Sequence, residues 1–260
     1  MFPRLLVESH YAMTFPDNIP LLQAFWQDAF NLKQHLQDFL GLDPAALEQR
    51  LQQSKQELAA MGHRDFDWNA TDQFYSHQVG DIYLFELGAW HLASQDHIGD
   101  TLRLIHDHLQ GRVLDFGGGI GTHTIAAGLC PGVTEVVYCD INPVHQRFVQ
   151  YRVEQLGLAD KIHCCLGEVE GEFDAIICFD VLEHLADPTQ QLMQFHKQLS
   201  PQGRIILNWY FFKGFTQEFP FHLDDPKLVE QFFLALQTHF LEIFHPYFTT
   251  ARCYRKRLYP

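Results

Sequence analysis

The chain has 260 residues, of which 47% are hydrophobic, enough to bury a substantial core, and it contains neither repeats nor low-complexity tracts. Its 32 acidic residues against 18 Lys and Arg give a formal charge of -14, a field that repels phosphate backbones and argues against a nucleic-acid partner. No stretch approaches the length of a membrane span, the start Met1-Phe2-Pro3-Arg4 lacks a charged leader pattern, and the six cysteines have no CxxC spacing. The expectation is a cytoplasmic protein with buried thiols, no membrane contact, no zinc site and no disulfide framework.

In chain order, Leu22, Phe25, Trp26, Ala29, Leu36 and Leu40 recur at helical spacing, predicting one helix that stops at Gly41. Asp43-Pro44 then opens a second helix carrying Leu47, Leu51, Leu58 and Met61. The stretch from 71 to 91 mixes aromatic and polar residues, among them Tyr75, His77 and Tyr83, and leads into a helix ending near Leu109. Residues 1–110 read as an N-terminal helical extension, and residues 111–260 as a separate α/β domain.

That domain opens with Val113-Leu114-Asp115-Phe116-Gly117-Gly118-Gly119-Ile120-Gly121-Thr122. A buried strand ends in an acid, and glycines at alternate positions let the chain turn tightly against a ligand before a helix begins. This is the pattern of a nucleotide-type cofactor loop. The dinucleotide spacing fails, because the sixth position is Thr122 counted from Gly117 and Thr124 counted from Gly119. The Walker loop fails as well, for want of Gly-Lys-Ser/Thr.

The next strand, residues 134–140, ends in Asp140, at the separation where a ribose-binding carboxylate is expected. Pro143 opens the following helix, residues 161–167 form a third strand, and Phe173-Asp174-Ala175-Ile176-Ile177-Cys178 a fourth. Asp187-Pro188 starts a helix that Pro201 and Gly203 end, residues 204–210 form a fifth strand, and Asp225-Pro226 starts a last helix. Residues 240–247 and 252–259 are two alternating segments separated by a short turn. Phe211, Phe212, Phe215, Phe219 and Phe221 cluster after the fifth strand, either lining an apolar pocket or packing as a lid.

Asp115-x-Gly117-x-Gly119-x-Gly121 resembles the first motif of the class I S-adenosylmethionine-dependent methyltransferases. The segment Phe173-Asp174 followed by four apolar residues, then Asp180 and Leu182-Glu183-His184, resembles their small-molecule type. The resemblance implies a Rossmann-like α/β fold with a seven-stranded sheet, mostly parallel with an antiparallel C-terminal strand. It implies S-adenosylmethionine as cofactor. Asp115, Gly117, Gly119 and Gly121 would then surround the methionine part, Asp140 would take the ribose, and Ile141, Glu168 and Val169 would meet the adenine. Phe179 belongs to the same contact set, and Tyr75, His77 and Tyr83, in the segment just upstream that folds over the cofactor in this family, would approach the methionine end or the substrate.

Catalysis of methyl transfer needs proximity, alignment and, where the nucleophile carries a proton, a base. Asp180, His184 and His222 are the candidates, at or after strand ends where open α/β sheets bind ligands. Asp180, Glu183 and His184 also stand at i, i+3, i+4, as on one helical face, and the ubiquinone O-methyltransferases resemble this in holding a divalent cation with Glu, Glu and His. Here the first acid is Asp and no fourth ligand follows, so no metal is assigned. The function implied is methyl transfer to O, N or C of a small-molecule metabolite. The alternatives are a protein or peptide methyltransferase docking through its N-terminal helices, and a non-catalytic cofactor-binding scaffold.

Overall fold

The computed structural model describes residues 19–61, 66–215, 219–247 and 249–258. The chain start at Met1 and the last strand's end at Tyr259 lie outside the described residues. Among the described residues six α-helices precede the sheet: α1 (Pro20–Asp28), α2 (Leu32–Leu40), α3 (Pro44–Ala60), α4 (Trp68–Gln73), α5 (Ile82–Ala93) and α6 (Gln95–His108). The alternating part then runs β1 (Gly111–Phe116), α7 (Thr122–Leu129), β2 (Val133–Asp140), α8 (Pro143–Gln155), β3 (Ile162–Leu166) and β4 (Phe173–Cys178). It finishes with α9 (Pro188–Gln198), β5 (Leu199–Leu207), α10 (Pro226–His239), β6 (Phe240–Ile243) and β7 (Arg252–Lys256). Helix starts are where local chemistry puts them. Asn142, Asp187 and Asp225 each accept hydrogen bonds from the amides of the first turn, followed by a proline at the first helical position. Each such cap is worth about 1 kcal/mol.

The seven strands form one sheet in the order β3-β2-β1-β4-β5-β7-β6. The first five are parallel, and β7 runs antiparallel to both β5 and β6. Successive residues of the inner strands go to opposite faces, as a pleated strand dictates. Val113, Val136, Ile177 and Ile206 enter one hydrophobic cluster, while their neighbours Leu114, Val137, Ile176 and Ile205 enter the other. The second cluster is closed by Leu192, Phe195 and Phe232 from α9 and α10. The first takes in Leu22, Phe25, Leu36, Leu84 and Ile105, so the N-terminal helices share a core with the sheet face they cover.

The single helix expected up to Gly41 is two helices. Ala29, Phe30 and Asn31 lie between them, all with positive φ (53°, 59° and 59°), a left-handed turn that breaks the helical ladder. The physical reason is tertiary. The guanidinium of Arg152, from α8, donates to the carbonyls of Ala29 and Phe30 at 3.0 and 3.1 Å, which only a turn can present side by side. The fifth strand begins at Leu199, earlier than expected, and ends at Leu207 because Asn208 turns to bond Asp180. The sixth stops at Ile243. Among the described residues no helix is long and apolar enough to cross a membrane.

Candidate active site

The carboxyl ends of β1, β2 and β4 open on a cavity of about 460 Å³, roofed by α4, α5 and the turn between them. Its floor is the glycine loop. Gly117 has φ +69°, and a Cβ there would sit 2.4 Å from Val181, so the approach of the β4 loop admits only glycine. Gly119 has φ +52° and would meet nothing closer than Leu87 at 3.3 Å; its missing side chain is space for a ligand. The loop's carbonyls are turned into the protein: Gly118 accepts from the Gly121 amide at 2.9 Å, Gly119 from the Tyr138 hydroxyl at 2.9 Å, and Ile120 from Arg152 at 2.7 Å.

Two acids stand at the floor. Asp115 is 2% exposed, accepts from the Thr124 hydroxyl, and is pushed up to about 7 by burial, which outweighs that hydrogen bond. Asp140 ends β2 and accepts from the amides of Gly119 (2.9 Å) and Asn142 (2.7 Å), with His145 Nδ1 at 3.4 Å. Carboxylate oxygens offer about four acceptor positions, so the group keeps capacity for further donors. Beside it, Asn142 Nδ2 and His145 Nε2 are buried without partners, and both residues line the cavity. The remaining wall includes Ile141, Gly167, Glu168 and Phe179.

Two histidines that the motifs did not single out also line the cavity. His91 bonds the Thr122 hydroxyl through Nδ1 at 2.9 Å, and His123 bonds the Thr101 hydroxyl through Nε2 at 2.9 Å. Burial holds both imidazoles neutral, lowering His123 to about 3. The available signal was His123 itself, a polar residue in α7, whose residues Thr122 to Gly128 are all buried.

Sequence-predicted residues divide by geometry. Asp115, Gly117, Gly119, Asp140, Ile141, Glu168, Phe179, Tyr75, Asp180 and His184 line one cavity. Gly121 is below the loop at the start of α7, where a Cβ would meet Val149 at 2.8 Å. Val169 packs against the second core cluster, its carbonyl accepting from Gln198. His77 is exposed and bonded to Ser76, since the π-helical turn Phe74–Gln78 that aims Tyr75 inward aims His77 out. None of the five clustered phenylalanines lines the cavity. Phe221 packs on Phe74 at 4.8 Å, Phe211 on Phe232 at 5.1 Å, and Phe212, Phe215 and Phe219 are exposed.

Asp180, Glu183 and His184 do not share a helical face. Only Leu182–His184 form a turn of 3-10 helix, and Asp180 precedes it with φ +53°. Its amide donates to Asn208 Oδ1 at 2.6 Å while Asn208 Nδ2 donates back to its carboxylate at 2.7 Å. The group that could hold a cation is instead Glu183, His184 and His222, whose ligand atoms lie within 4.8 Å of one another. Glu183 is 1% exposed, pushed up to about 8 by burial and by Asp180, with Oε2 lacking a partner. His184 Nδ1 lies 3.0 Å from the Phe221 carbonyl and His222 Nδ1 2.8 Å from that of Tyr210. A carbonyl only accepts, so each Nδ1 carries the proton and each Nε2 is the acceptor. Burial lowers both, His184 to about 3.

A family model described as a methyltransferase domain matches residues 90–240, more than half of the chain. The chain belongs to this family. The match begins within α5, so the end of that helix and all of α6 fall inside it. Among solved structures, PigF with SAH aligns over 86% of this chain and 73% of its own at 17% identity and a TM-score of 0.55. The mitomycin 7-O-methyltransferase MmcR aligns over 81% and 67% at 15% identity and a TM-score of 0.53. At these identities the likeness is one of fold, and it extends to the seven-stranded Rossmann-like sheet. An uncharacterised protein of Synechococcus sp. is 36% identical over 99 residues, which is 35% of this chain and 24% of that protein. The chain thus spans about a quarter of the length of that curated relative.

Proposed function

We propose that the protein is an S-adenosylmethionine-dependent methyltransferase acting on a small-molecule metabolite. The observation that carries this reading is one continuous cavity reaching from Asp140 and Gly119 past Asp115 to Tyr75, Asp180 and His184. Its glycine loop has room for a ligand at Gly119, and two buried polar atoms of Asn142 and His145 stand beside the ribose acid without partners. These features fit the methyl donor. Asp140 takes the ribose hydroxyls, Ile141 and Glu168 flank the adenine, and Asp115 with Gly117 and Gly119 holds the amino-acid end. Gly121 and Val169 support this set from beneath without entering the cavity.

When bound, the sulfonium cofactor supplies an electrophilic methyl group, so the chain's own work is positioning. Tyr75 and Tyr83, with ring centroids 5.5 Å apart, close the roof over the reacting end and exclude water. Asp180 and His184 face the acceptor, and His222 backs His184 with ring centroids 4.7 Å apart. A nucleophile's proton passes to Asp180, whose affinity for it burial raises, while neutral His184, lowered to about 3, orients the acceptor. The small size and partial enclosure of the cavity favour a metabolite over a folded protein, and a net charge of -14 disfavours nucleic acid.

Two measurements test the reading. Calorimetric titration with S-adenosylhomocysteine should give saturable binding, and a metabolite extract incubated with methyl-labelled cofactor should yield a small molecule heavier by one methyl. Label appearing in proteins instead would favour the peptide reading. Saturable binding with no labelled product in either extract would favour the scaffold.

A further inference from the structure

Arg152 is the largest fully buried side chain of the molecule, and it lies far from any role in the cavity itself. Its guanidinium spends four hydrogen bonds: Nη1 to the Ile120 carbonyl (2.7 Å), Nη2 to the carbonyls of Ala29 (3.0 Å) and Phe30 (3.1 Å), and Nε to His35 Nδ1 (3.4 Å). None of these partners is an anion. Burial lowers the guanidinium to about 9, with Asp28 acting against it, and the same cation helps to hold His35 neutral at about 4. A buried cation with no anion among its hydrogen-bond partners is costly, and packing alone would be served by an apolar side chain of similar volume.

What the fork does is join two pieces of backbone, one of them strained. On one side is Ile120, between Gly119 and Gly121, in the loop that floors the cavity. On the other is the turn Ala29-Phe30-Asn31, three successive non-glycine residues with positive φ, a conformation that L residues avoid and that persists only where surroundings over-determine it. Arg has five donors in a rigid plane, and four are used here in a way that a single ammonium would not reproduce. Among the loop carbonyls at 118, 119 and 120, the one at Ile120 alone is tied to a residue that also grips the N-terminal helices.

We propose that Arg152 is a positioning residue for the cofactor loop, clamping the Ile120 carbonyl and the Ala29–Phe30 turn together so that docking of the N-terminal helices governs how the loop receives its ligand. This rests on the reading that the loop holds S-adenosylmethionine. The helices α1 and α2 are then a working part of the cofactor site, although none of their residues lines the cavity. By linkage, a ligand that fixes the loop also fixes the turn.

The test uses the full-length protein and S-adenosylhomocysteine. Arg152→Lys keeps the charge and loses the fork; its affinity should fall about tenfold, the loss expected for a charge-assisted pair of contacts. The protein fraction folded by circular dichroism is used, so that a lower unfolding midpoint alone leaves affinity unchanged. In the wild type, amide exchange should slow on ligand addition both in residues 117–122 and in residues 29–36. Arg152→Lys should keep the first protection and lose the second. Binding within twofold of wild type, or wild-type protection confined to the loop, overturns the clamp; if Arg152→Lys does not fold, the wild-type exchange pattern decides. Failure of the wild type to bind at all instead overturns the cofactor reading beneath it.

Discussion

Replacing Asp115 with Asn isolates one buried charge whose cost can be worked from the structure. The carboxyl is 2% exposed and raised from 3.8 to about 7 by desolvation, partly opposed by the Thr124 hydroxyl and assisted by Asp140. Between these two pH values the folded state keeps a proton that the unfolded chain has released, so stability falls as pH rises through the window and levels off above pH 7. At roughly 1.4 kcal/mol per pH unit the whole penalty is on the order of 4 kcal/mol, of which more than half develops between pH 5 and pH 8. Asn cannot ionise. Urea unfolding of both proteins at pH 5, 6, 7 and 8 should show the stability difference moving by about 2–3 kcal/mol in favour of Asp115→Asn as pH rises. Taking the difference cancels the other raised acids, which titrate alike in both. Binding should move the opposite way. In the placement proposed above the ligand's ammonium meets an ionised Asp115, so wild-type affinity for S-adenosylhomocysteine should weaken toward tenfold per pH unit below 7, and the variant's should be weak and flat. Parallel stability curves from pH 5 to 8 would refute the claim that this carboxyl ionises at a cost inside the fold.

Asp140→Ala removes the acceptor for the Gly119 and Asn142 amides as well as for the ribose, and should weaken S-adenosylhomocysteine binding about a hundredfold by calorimetry. Gly119→Arg, at φ +52° and pointing into the cavity, should abolish it; the wild type at a hundredfold excess over its Kd should gain about 2.7 kcal/mol and neither variant should. Asn208→Ala strips Asp180 of its reciprocal pair of hydrogen bonds while leaving its backbone left-handed, and should cost about 1–3 kcal/mol in urea unfolding. Tyr75→Phe deletes a hydroxyl that bonds Tyr83 and lies 3.4 Å from a His184 nitrogen already committed to Phe221, so stability should fall by about one hydrogen bond, roughly 0.5–1.5 kcal/mol in urea unfolding.

The parallel sheet was legible because its information is local. The ends of β1 to β4 carry an acid or glycine at or just after the last strand residue, and apolar runs such as Val113-Leu114 or Ile176-Ile177 need no distant residue to be read as buried strand. The same locality made the floor of the cavity readable, from Asp115 through Gly119 to Asp140. What was not legible depends on partners far apart in sequence. The break at residues 29–31 answers to Arg152, more than 120 positions later, and nothing in Ala29 or Phe30 announces it. Asp180 leaves the expected helical face because Asn208 claims it. His77 and Tyr75 were grouped because both lie in the segment that the resemblance folds over the cofactor, and a π-helical turn sends them to opposite sides. His91 and His123 escaped notice because histidine scattered over a chain has no spacing to recognise; their meaning comes from the hydroxyls of Thr122 and Thr101 that meet them.

The electrostatics of the cavity follow from these placements. His91, His123 and His184 are held neutral by burial, and Asp115 and Asp180 are raised by it, so desolvation has moved every one of these groups toward its uncharged form. An uncharged ring of imidazoles presents no repulsion to a cation, whereas raised acids can be drawn into ionisation when one arrives. A donor bearing a positive sulfur and a positive ammonium gains from both. Its product, having lost the sulfonium charge, gains less. Arginine or lysine among the lining residues would reverse this preference, and the cavity has neither.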